Sequence, residues 1–196
     1  KILDLCRIEA IAGYGGEIRI GNHVEIAQFC QLSAAGNLTI GDHTGLGYGT
    51  LVTTDDHDYT GEIGINILEQ PLVVRDTNLG KCCFIGSGVK ILAGTILGDN
   101  SVVAANTVIR GIYPDNSVIA GSPARVIKRF DTIAQTWRKT DKDGNFLMDW
   151  GTAPKDARNP GPNEFNTVHS IQISKDRRLF VVDRGHRRIQ VFDENG

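Results

Sequence analysis

The chain has 196 residues, of which 40% are hydrophobic and 22% are charged, so it resembles ordinary globular proteins and is long enough for one large domain or two small ones. Its formal net charge of -2 argues against binding nucleic acid or an anionic membrane through bulk charge. The 23 glycines and the low aromatic content of 7% favour a fold with many tight turns and few bulky core residues, such as a β-solenoid.

A six-residue repeat organises the first half of the chain. Residues 1–17 have no clear period and are predicted as an irregular first coil or cap. From Ile20 the hexads begin, slip by two residues at Leu38-Thr39, and continue to Val52. Such a repeat is typical of a parallel β-helix, in which each hexad forms one short strand and turn. Three hexads close one triangular coil, so residues three hexads apart are expected to lie above one another.

The repeat stops after Val52 for about thirty residues, and a break of this length is usually a functional loop. It resumes at Ile85 with aliphatic residues at every sixth position and small residues four places later. The aliphatic residues are Ile85, Ile91, Leu97, Val103 and Ile109, and the small ones are Val89, Thr95, Ser101 and Thr107. The outward positions Ile96, Val102 and Val108 are also apolar, and we interpret them as a stripe at a subunit interface.

The array slips again at a turn signal, residues 113–116, and ends in SVIAGSPARVIKRF. The β-helix domain is therefore predicted to cover residues 1–130, with residues 131–142 as an exit segment or linker. In residues 143–196, three short runs alternate charged and apolar side chains, which predicts an antiparallel β-meander. The predicted fold is all-β, a parallel β-helix with an extended loop followed by this meander.

The cysteines and the apolar runs indicate where the protein is located. Cys6, Cys30, Cys82 and Cys83 show neither metal-site spacing nor an obvious disulfide framework, so a reducing compartment is the simpler interpretation. No apolar run has membrane-spanning length and no signal peptide is visible, although the chain starts at Lys1 rather than Met. We expect a cytoplasmic protein without a transmembrane segment.

His57 is the candidate catalytic residue because it lies at the start of the only long loop in the array. Acyl transfer to a hydroxyl needs a neutral imidazole to take the hydroxyl proton during attack on a thioester. The flanking Asp55, Asp56 and Asp58 could orient the ring or raise its basicity, and Asp55, Asp58 and Tyr59 are candidate substrate-binding residues. The alternative is a solvated loop histidine beside acids, and the loop context favours function.

A metal site is not expected. His23 and His43 occupy the same turn position of an IGxH hexad, which faces solvent, and their spacing across the coil slip does not guarantee that they stack. Together with His57 they could offer zinc ligands, but no HxxxxH or HExxH pair is present. The adjacent Cys82-Cys83 has no fixed basic partner except Lys81, so a buried structural thiol is expected there.

Residues 85–109 and the later VIAGSPARVIKR resemble the hexapeptide-repeat O-acetyltransferases, in the branch of the maltose, galactoside and exopolysaccharide enzymes. The resemblance covers roughly residues 18–140 and includes the HDY sequence of the loop and the GSPARVIK ending. It implies a left-handed parallel β-helix, a homotrimer, acetyl-CoA as the donor, and a sugar or other small hydroxyl compound as the acceptor. No metal is expected for such an enzyme.

Within this resemblance His57 is similar to the catalytic base of the loop. Ser87 and Ala105 are similar to positions whose backbone lines the pantetheine groove, and they are three hexads apart. The residues implied near the adenine and phosphates of coenzyme A are Arg110, Gly111, Arg125 and Lys128. Arg and Lys pair with phosphate oxygens, and small residues let the thin pantetheine arm approach the coil.

The chain departs from the galactoside enzymes at positions that matter for the acceptor. Phe84 stands where a Trp is usual, and Ala27 and Ala35 fall where acceptor-contacting residues are polar. The loop sequence HDYTGEIGINILEQP looks more like that of enzymes that decorate surface polysaccharide precursors.

The tail from about residue 143 to residue 196 resembles an NHL-type β-propeller repeat, with Val168 where proline is usual. One blade cannot close a propeller, so the tail is a fragment of a longer fusion, a join of two sequences, or a repeat that packs on the solenoid. His169 matches a metal ligand of some propeller lyases, but those sites need several blades, and His169 receives no role.

The leading hypothesis is an O-acetyltransferase that acts by direct attack, with His57 as the base. One alternative is a metal-dependent β-helix hydratase of the carbonic anhydrase kind. Another is a binding module in which the NHL-type repeat is active and the solenoid is a trimerising stalk.

Overall fold

The computed structural model describes residues 1–61, 63–141, 143–147, 164–166, 168–176 and 178–193. The chain divides into two compact units, Lys1–Leu147 and Met148–Gly196. The left-handed parallel β-helix and the antiparallel meander that the sequence predicts are both confirmed. Within the described part of the chain, no helix combines the length and the hydropathy needed to cross a membrane.

The β-helix has three faces, and its strands, numbered in chain order, visit them in turn. Face 1 consists of β1 (Arg7–Ala10), β4 (Gln31–Ala34), β7 (Leu51–Thr53), β12 (Lys90–Ile91) and β15 (Val108–Ile109). Face 2 consists of β2 (Ile18–Ile20), β5 (Leu38–Ile40), β10 (Thr77–Leu79), β13 (Ile96–Leu97) and β16 (Ile112–Tyr113). Face 3 consists of β3 (Glu25–Ile26), β6 (Gly45–Leu46), β11 (Phe84–Ile85), β14 (Val102–Val103) and β17 (Ser117–Gly121).

The core confirms the period of six. The five aliphatic residues of the resumed array are at most 2% exposed: Ile85, Ile91, Leu97, Val103 and Ile109. The small residues four places later are buried as well, because each lies in the turn that carries the chain to the next face: Val89, Thr95, Ser101 and Thr107. A buried hydroxyl needs a partner, and Thr95 Oγ1 donates to the carbonyl of Leu92 at 2.6 Å.

The stacking follows the hexad count wherever the repeat is unbroken. Lys90 pairs with Val108, three hexads later, as the sequence predicts. Gln31 pairs with Leu51, because the two-residue slip lengthens that coil. Leu51 in turn pairs with Lys90, so the long interruption leaves the register of face 1 intact. The interruption is therefore an insertion into one coil and not the end of the helix.

The predicted apolar stripe of Ile96, Val102 and Val108 is wrong. Ile96 lies in β13 on face 2, Val102 in β14 on face 3 and Val108 in β15 on face 1. One hexad carries the chain around a single corner, so outward residues six positions apart point in three different directions. Residues that share a face are a whole coil apart, as Ile96 and Ile112 are on face 2.

Residues 131–142, predicted as an exit segment or linker, instead belong largely to the β-helix unit. Strand β18 (Ala124–Asp131) pairs antiparallel with β17, and β19 (Thr136–Lys139) pairs with β18, which widens face 3. The rings of Phe130 and Trp137 meet edge to face at 5.6 Å, and Arg138 forms an ion pair with Asp131 at 2.8 Å. These contacts hold the hairpin in place, so the first unit extends to Leu147.

The second unit is a three-stranded antiparallel sheet with the order β20 (Val168–Ile173), β21 (Leu179–Asp183) and β22 (Arg188–Phe192). The fully buried carboxylate of Asp183 lies 2.7 Å from Nδ1 of His186. His169, which received no role, is in β20. Much of the stretch that resembles an NHL-type repeat, residues 148–163, lies outside the described residues.

Candidate active site

The long interruption leaves the coil at the corner between face 1 and face 2, which we call corner 1–2. After β7 the chain forms β8 (Asp55–His57), passes a short 3-10 helix (Ile67–Glu69), and returns as β9 (Leu72–Val74). Strands β8 and β9 pair antiparallel, with His57 opposite Leu72. Below them the amide of Arg75 donates to the carbonyl of Thr54 at 2.7 Å. The base of the loop is thus a hydrogen-bonded hairpin with a fixed position.

Two glycines of corner 1–2 make room for this hairpin. A Cβ at Gly36 would lie 2.8 Å from Cγ1 of Val74, which is closer than carbon atoms approach. A Cβ at Gly94, whose φ is +83°, would lie 3.1 Å from Cδ of Arg75. Because glycine lacks that atom, the end of β9 and the residue after it rest directly against neighbouring coils.

His57 is exposed at the end of β8. Side chains alternate along a strand, so Asp55 lies on the same side of β8 as His57. Asp55 is half-buried, and its Oδ1 is buried without a hydrogen-bond partner among the described residues. Burial raises the pKa of Asp55, repulsion from Asp56 raises it further, and His57 lowers it. Asp55 is therefore the half-buried carboxylate on the side of β8 that carries His57.

The other two flanking carboxylates have different partners. Asp56 accepts hydrogen bonds from Arg75 Nη1 at 3.1 Å and from Arg110 Nη2 at 2.6 and 2.8 Å. Asp58 accepts from the amide and the hydroxyl of Thr60, both at 2.8 Å, and these bonds lower the pKa of Asp58. Of the three acids that could orient the ring, Asp55 is the one with a buried oxygen that has no hydrogen-bond partner among the described residues. Tyr59, the third candidate for substrate binding, is 78% exposed.

Arg110 is also at corner 1–2, since it follows β15 on face 1. The resemblance implies a position near the phosphates of coenzyme A, whereas in the structure Arg110 forms an ion pair with Asp56 that the resemblance does not predict. The sequence does contain a signal for this contact. Val52, Ile91 and Ile109 stack in one column of face 1, and the loop and Arg110 both directly follow residues of that column. Gly111, with φ of +105°, has open space where a Cβ would be.

Ser87 and Ala105 lie at the corner between face 3 and face 1, which we call corner 3–1. Both are exposed, and the amide of Asn106 donates to the carbonyl of Ser87 at 2.9 Å, so the two positions stack as the hexad count predicts. A Cβ at Gly86 would lie 2.6 Å from the amide nitrogen of Ala105, which shows how closely the two coils approach there.

A pocket of about 530 Å³ lies on face 3, and Ala27, Phe84 and Ser87, which the resemblance singled out, line it. His23 and His43 line it too, with stacked rings whose centroids are 4.8 Å apart. They stack because the coil between them contains the two-residue slip. Ala35, the other apolar departure, is buried at 1% exposure and is not part of this lining.

The cysteines divide between the core and this pocket. Cys83 is buried, and burial raises the pKa of its thiol, as expected of a structural residue. Cys82 is exposed and lines the pocket beside His43, so the expectation of a buried thiol holds only for Cys83. All four cysteines of the chain are free. Within the described ranges, no three His, Cys, Asp or Glu side chains are grouped to hold a metal ion.

The two remaining candidate residues are in the hairpin that follows the last coil. Arg125 lines a second pocket, of about 480 Å³, together with Arg129. Nε of Arg129 is buried without a hydrogen-bond partner among the described residues. Lys128 is exposed in β18. Two guanidinium groups outnumber the one carboxylate of this lining, that of Asp143, and favour a ligand with phosphate or carboxylate groups.

The candidate residues of one chain therefore occupy three places. His57, Arg110 and Gly111 are at corner 1–2, Ser87 and Ala105 are at corner 3–1, and Arg125 and Lys128 are in the terminal hairpin. Among the described residues, no hydrogen bond or ion pair joins His57 to Ser87. Corners 1–2 and 3–1 border face 1 from opposite sides.

Comparison with known proteins agrees with this architecture. WbbJ of Escherichia coli K12, which is named as a lipopolysaccharide biosynthesis O-acetyl transferase, is 30% identical over 132 residues, covering 63% of this chain and 66% of WbbJ. The hexapeptide-repeat acetyltransferase VCA0836 of Vibrio cholerae superposes with a TM-score of 0.58 at 26% identity, over 66% of this chain and 70% of that one. Its complex with acetyl coenzyme A superposes with a TM-score of 0.52 at 28% identity, over 58% and 61%.

The chain spans between 27% and 66% of the length of the first curated relatives that it matches. The profile of the bacterial transferase hexapeptide family, which describes six repeats, matches residues 76–111. That range begins where the loop returns to the coil and contains the most regular hexads. The repeat, the three-faced helix and the similarity to WbbJ and VCA0836 agree, and the chain belongs to the hexapeptide-repeat family of bacterial transferases.

Proposed function

We propose that this protein is an O-acetyltransferase that moves an acetyl group from acetyl-CoA to a hydroxyl of a sugar or polysaccharide precursor, with His57 as the general base. The observation that carries the proposal is the position of His57 on a hairpin that is hydrogen-bonded and set into a glycine-lined corner of the coil. Names of relatives add support, since WbbJ is named for O-acetyl transfer in lipopolysaccharide biosynthesis and VCA0836 was solved with acetyl coenzyme A.

The proposed reaction is one direct transfer. The neutral imidazole of His57 takes the proton of the acceptor hydroxyl while its oxygen attacks the thioester carbonyl. The tetrahedral intermediate then expels the coenzyme A thiolate, which takes the proton back from the imidazolium. Asp55, on the same side of β8, stabilises the imidazolium by its charge. Backbone amides where the loop joins the coil stabilise the oxyanion.

The donor is proposed to bind along corner 3–1. Ser87 and Ala105 are small and exposed there, so a pantetheine arm can approach the stacked backbone. Arg125 and Lys128 supply positive charge for its phosphates from the terminal hairpin. The pocket on face 3, which Phe84 lines, is wide enough for a sugar ring and is the proposed acceptor pocket.

A homotrimer and a cytoplasmic location belong to the same proposal. His57 and Ser87 lie at different corners, and a cyclic trimer brings corner 1–2 of one subunit next to another subunit. If each site takes His57 from one subunit and Ser87 from another, two inactive variants can complement each other. When His57→Ala and Ser87→Trp proteins are unfolded and refolded together, about a quarter of the sites between subunits contain both native residues. Activity in the mixture supports sites between subunits, and an inactive mixture contradicts them.

The cysteines support the proposed cytoplasmic location, because four free thiols suit a reducing compartment.

The division of the chain is proposed as a catalytic β-helix followed by an NHL-type repeat without an assigned function. The three antiparallel strands of the second unit support the repeat.

The His57→Ala variant tests the chemistry. Loss of a general base lowers turnover about 10²- to 10⁴-fold, measured as coenzyme A thiol release with a panel of sugars and as acetylated sugar by mass spectrometry. Arg19→Ala is the control, because it removes an exposed basic side chain from β2 that belongs to none of the proposed sites. If His57→Ala transfers acetyl at nearly the wild-type rate, the role of His57 is refuted.

A further inference from the structure

We propose that Asp56 is a positioning residue for His57, held in place by Arg75 and Arg110; this inference rests on the proposed function. The carboxylate of Asp56 lies 2.6 and 2.8 Å from Nη2 of Arg110 and 3.1 Å from Nη1 of Arg75. We call these three side chains the Asp56 clamp. They connect the strand that carries His57 to two other parts of the chain.

The clamp acts on the backbone and not on the imidazole. Strand β8 has three residues, Asp56 is the middle one, and its side chain leaves the strand on the side opposite to Asp55 and His57. A group on that side can fix the strand without blocking access of a substrate to the ring. His57 is only one peptide bond from the anchored residue, so a shift of Asp56 moves His57 with it.

The two arginines come from different segments of the chain, so the clamp ties Asp56 to two separate parts of the β-helix. Arg75 directly follows β9, and its side chain passes over Gly94 of the next coil. Arg110 follows β15, one coil further along corner 1–2. One carboxylate therefore joins the outgoing strand of the loop, the returning end of the loop and the coil that contains β15.

The contribution of the clamp is geometric and not thermodynamic. The side chain of Asp56 is 30% exposed, and those of Arg75 and Arg110 are 50% and 48% exposed. Ion pairs with this exposure add little to global stability. A catalytic group, in contrast, loses much of its effect when it is displaced by a fraction of its hydrogen-bonding distance.

The clamp also changes the role of Arg110. Its guanidinium is committed to Asp56 instead of being free to bind the phosphates of coenzyme A. Arg125, which lines the pocket of the terminal hairpin, forms no ion pair with the described residues and remains the proposed phosphate residue. The two arginines are thus expected to affect different kinetic constants.

The test is a double-mutant cycle with Asp56→Asn and Arg110→Gln. Each single variant is expected to lower kcat about 10- to 100-fold, the cost of a small displacement of the base, with KM for acetyl-CoA unchanged. The double variant should be no slower than the slower single one, and Arg110→Lys should recover part of kcat. Arg125→Gln is the matched control, and it should raise KM for acetyl-CoA instead.

Hydrogen–deuterium exchange of residues 55–74 supplies a readout that does not depend on turnover. Asp56→Asn should exchange faster in this segment and keep the melting temperature of the native protein. If both single variants keep wild-type kcat while His57→Ala is inactive, the clamp is refuted and the proposed function stands. If the wild-type protein transfers no acetyl group, the function fails, and unchanged exchange in Asp56→Asn then overturns the clamp as well.

Discussion

Residues 85–109 and residues 55–74 are stabilised by different kinds of contact. In the first segment, an aliphatic side chain from every hexad is buried in one continuous core, and each strand pairs with the coils on both sides. In the second, two short strands and a few polar contacts anchor a loop whose Ile63 is fully exposed. The coil is held by the same packing and strand pairing repeated in every turn, whereas the loop is held by a few individual contacts. The proposed chemistry depends on the second kind of structure.

Shortening one side chain in each segment tests this contrast and has the largest expected effect on stability. Ile91 is fully buried in the shared core, so Ile91→Ala should lower the free energy of unfolding by about 2 to 5 kcal/mol. Ile63→Ala, in the loop, should change it by less than about 0.5 kcal/mol. Chemical denaturation of both variants measures the difference. Equal losses would mean that the loop is as much a part of the core as the coil.

Replacement of a closely packed glycine in the coil has the next largest expected effect on stability. The Cβ of Gly86→Ala would lie 2.6 Å from the backbone nitrogen of Ala105, so a neighbouring coil must move, at a cost of about 1 to 3 kcal/mol. Gly45→Ala is the matched control, because no atom lies within 4 Å of the added Cβ. A melting temperature of Gly86→Ala equal to that of Gly45→Ala would contradict the close stacking of coils at corner 3–1.

The smallest expected effect is on the dependence of stability on pH. Asp76 accepts hydrogen bonds from the amide and side chain of Asn37, at 2.8 and 3.2 Å, and these bonds lower the pKa of Asp76 below its ordinary value of 3.8. A lowered pKa in the folded state means that the stability is present above that value and is lost as the pH falls below it. Asp76→Asn should therefore lose less stability than the wild-type protein between pH 5 and pH 3.

The contribution of Asp55 to stability is expected to depend on pH with the opposite sign. Burial raises its pKa, so its contribution to stability is present at low pH and is lost as the pH rises through the pKa of the folded state. Asp55→Asn should gain stability relative to the wild-type protein at neutral pH. Urea denaturation at three pH values measures both variants. A steeper acid dependence in Asp76→Asn, or a loss of stability at neutral pH in Asp55→Asn, would contradict the assigned causes.

The sequence predicts the coil well because the period of six is a local pattern. The buried aliphatics, the stacking of Ser87 on Ala105 and the interruption after Val52 all follow from counting hexads. The same counting, applied without following the corners, produced the wrong stripe of Ile96, Val102 and Val108. Face membership depends on the number of corners passed, and this can be read from the sequence once the strands are assigned.

The contacts of the loop are harder to predict because they join residues far apart in the chain. Asp56 meets Arg110 only because the insertion and the last full coil share corner 1–2. In the sequence, Asp56 is one of three equivalent acids around His57, and nothing in its neighbourhood distinguishes it. The hairpin of β18 and β19 was missed for a related reason, since its partner strand β17 supplies the edge on which it forms.

One measurement tests most directly whether the coil is the scaffold and the insertion carries the chemistry. A variant in which Asn-Gly replaces residues 55–74 joins Thr54 to Arg75, whose backbones already share a hydrogen bond of 2.7 Å. Acetyl transfer to the sugar panel is measured together with thermal unfolding in the presence of coenzyme A. We predict a folded coil that coenzyme A still stabilises and that transfers no acetyl group. Transfer at a rate comparable to that of the native protein would contradict the account.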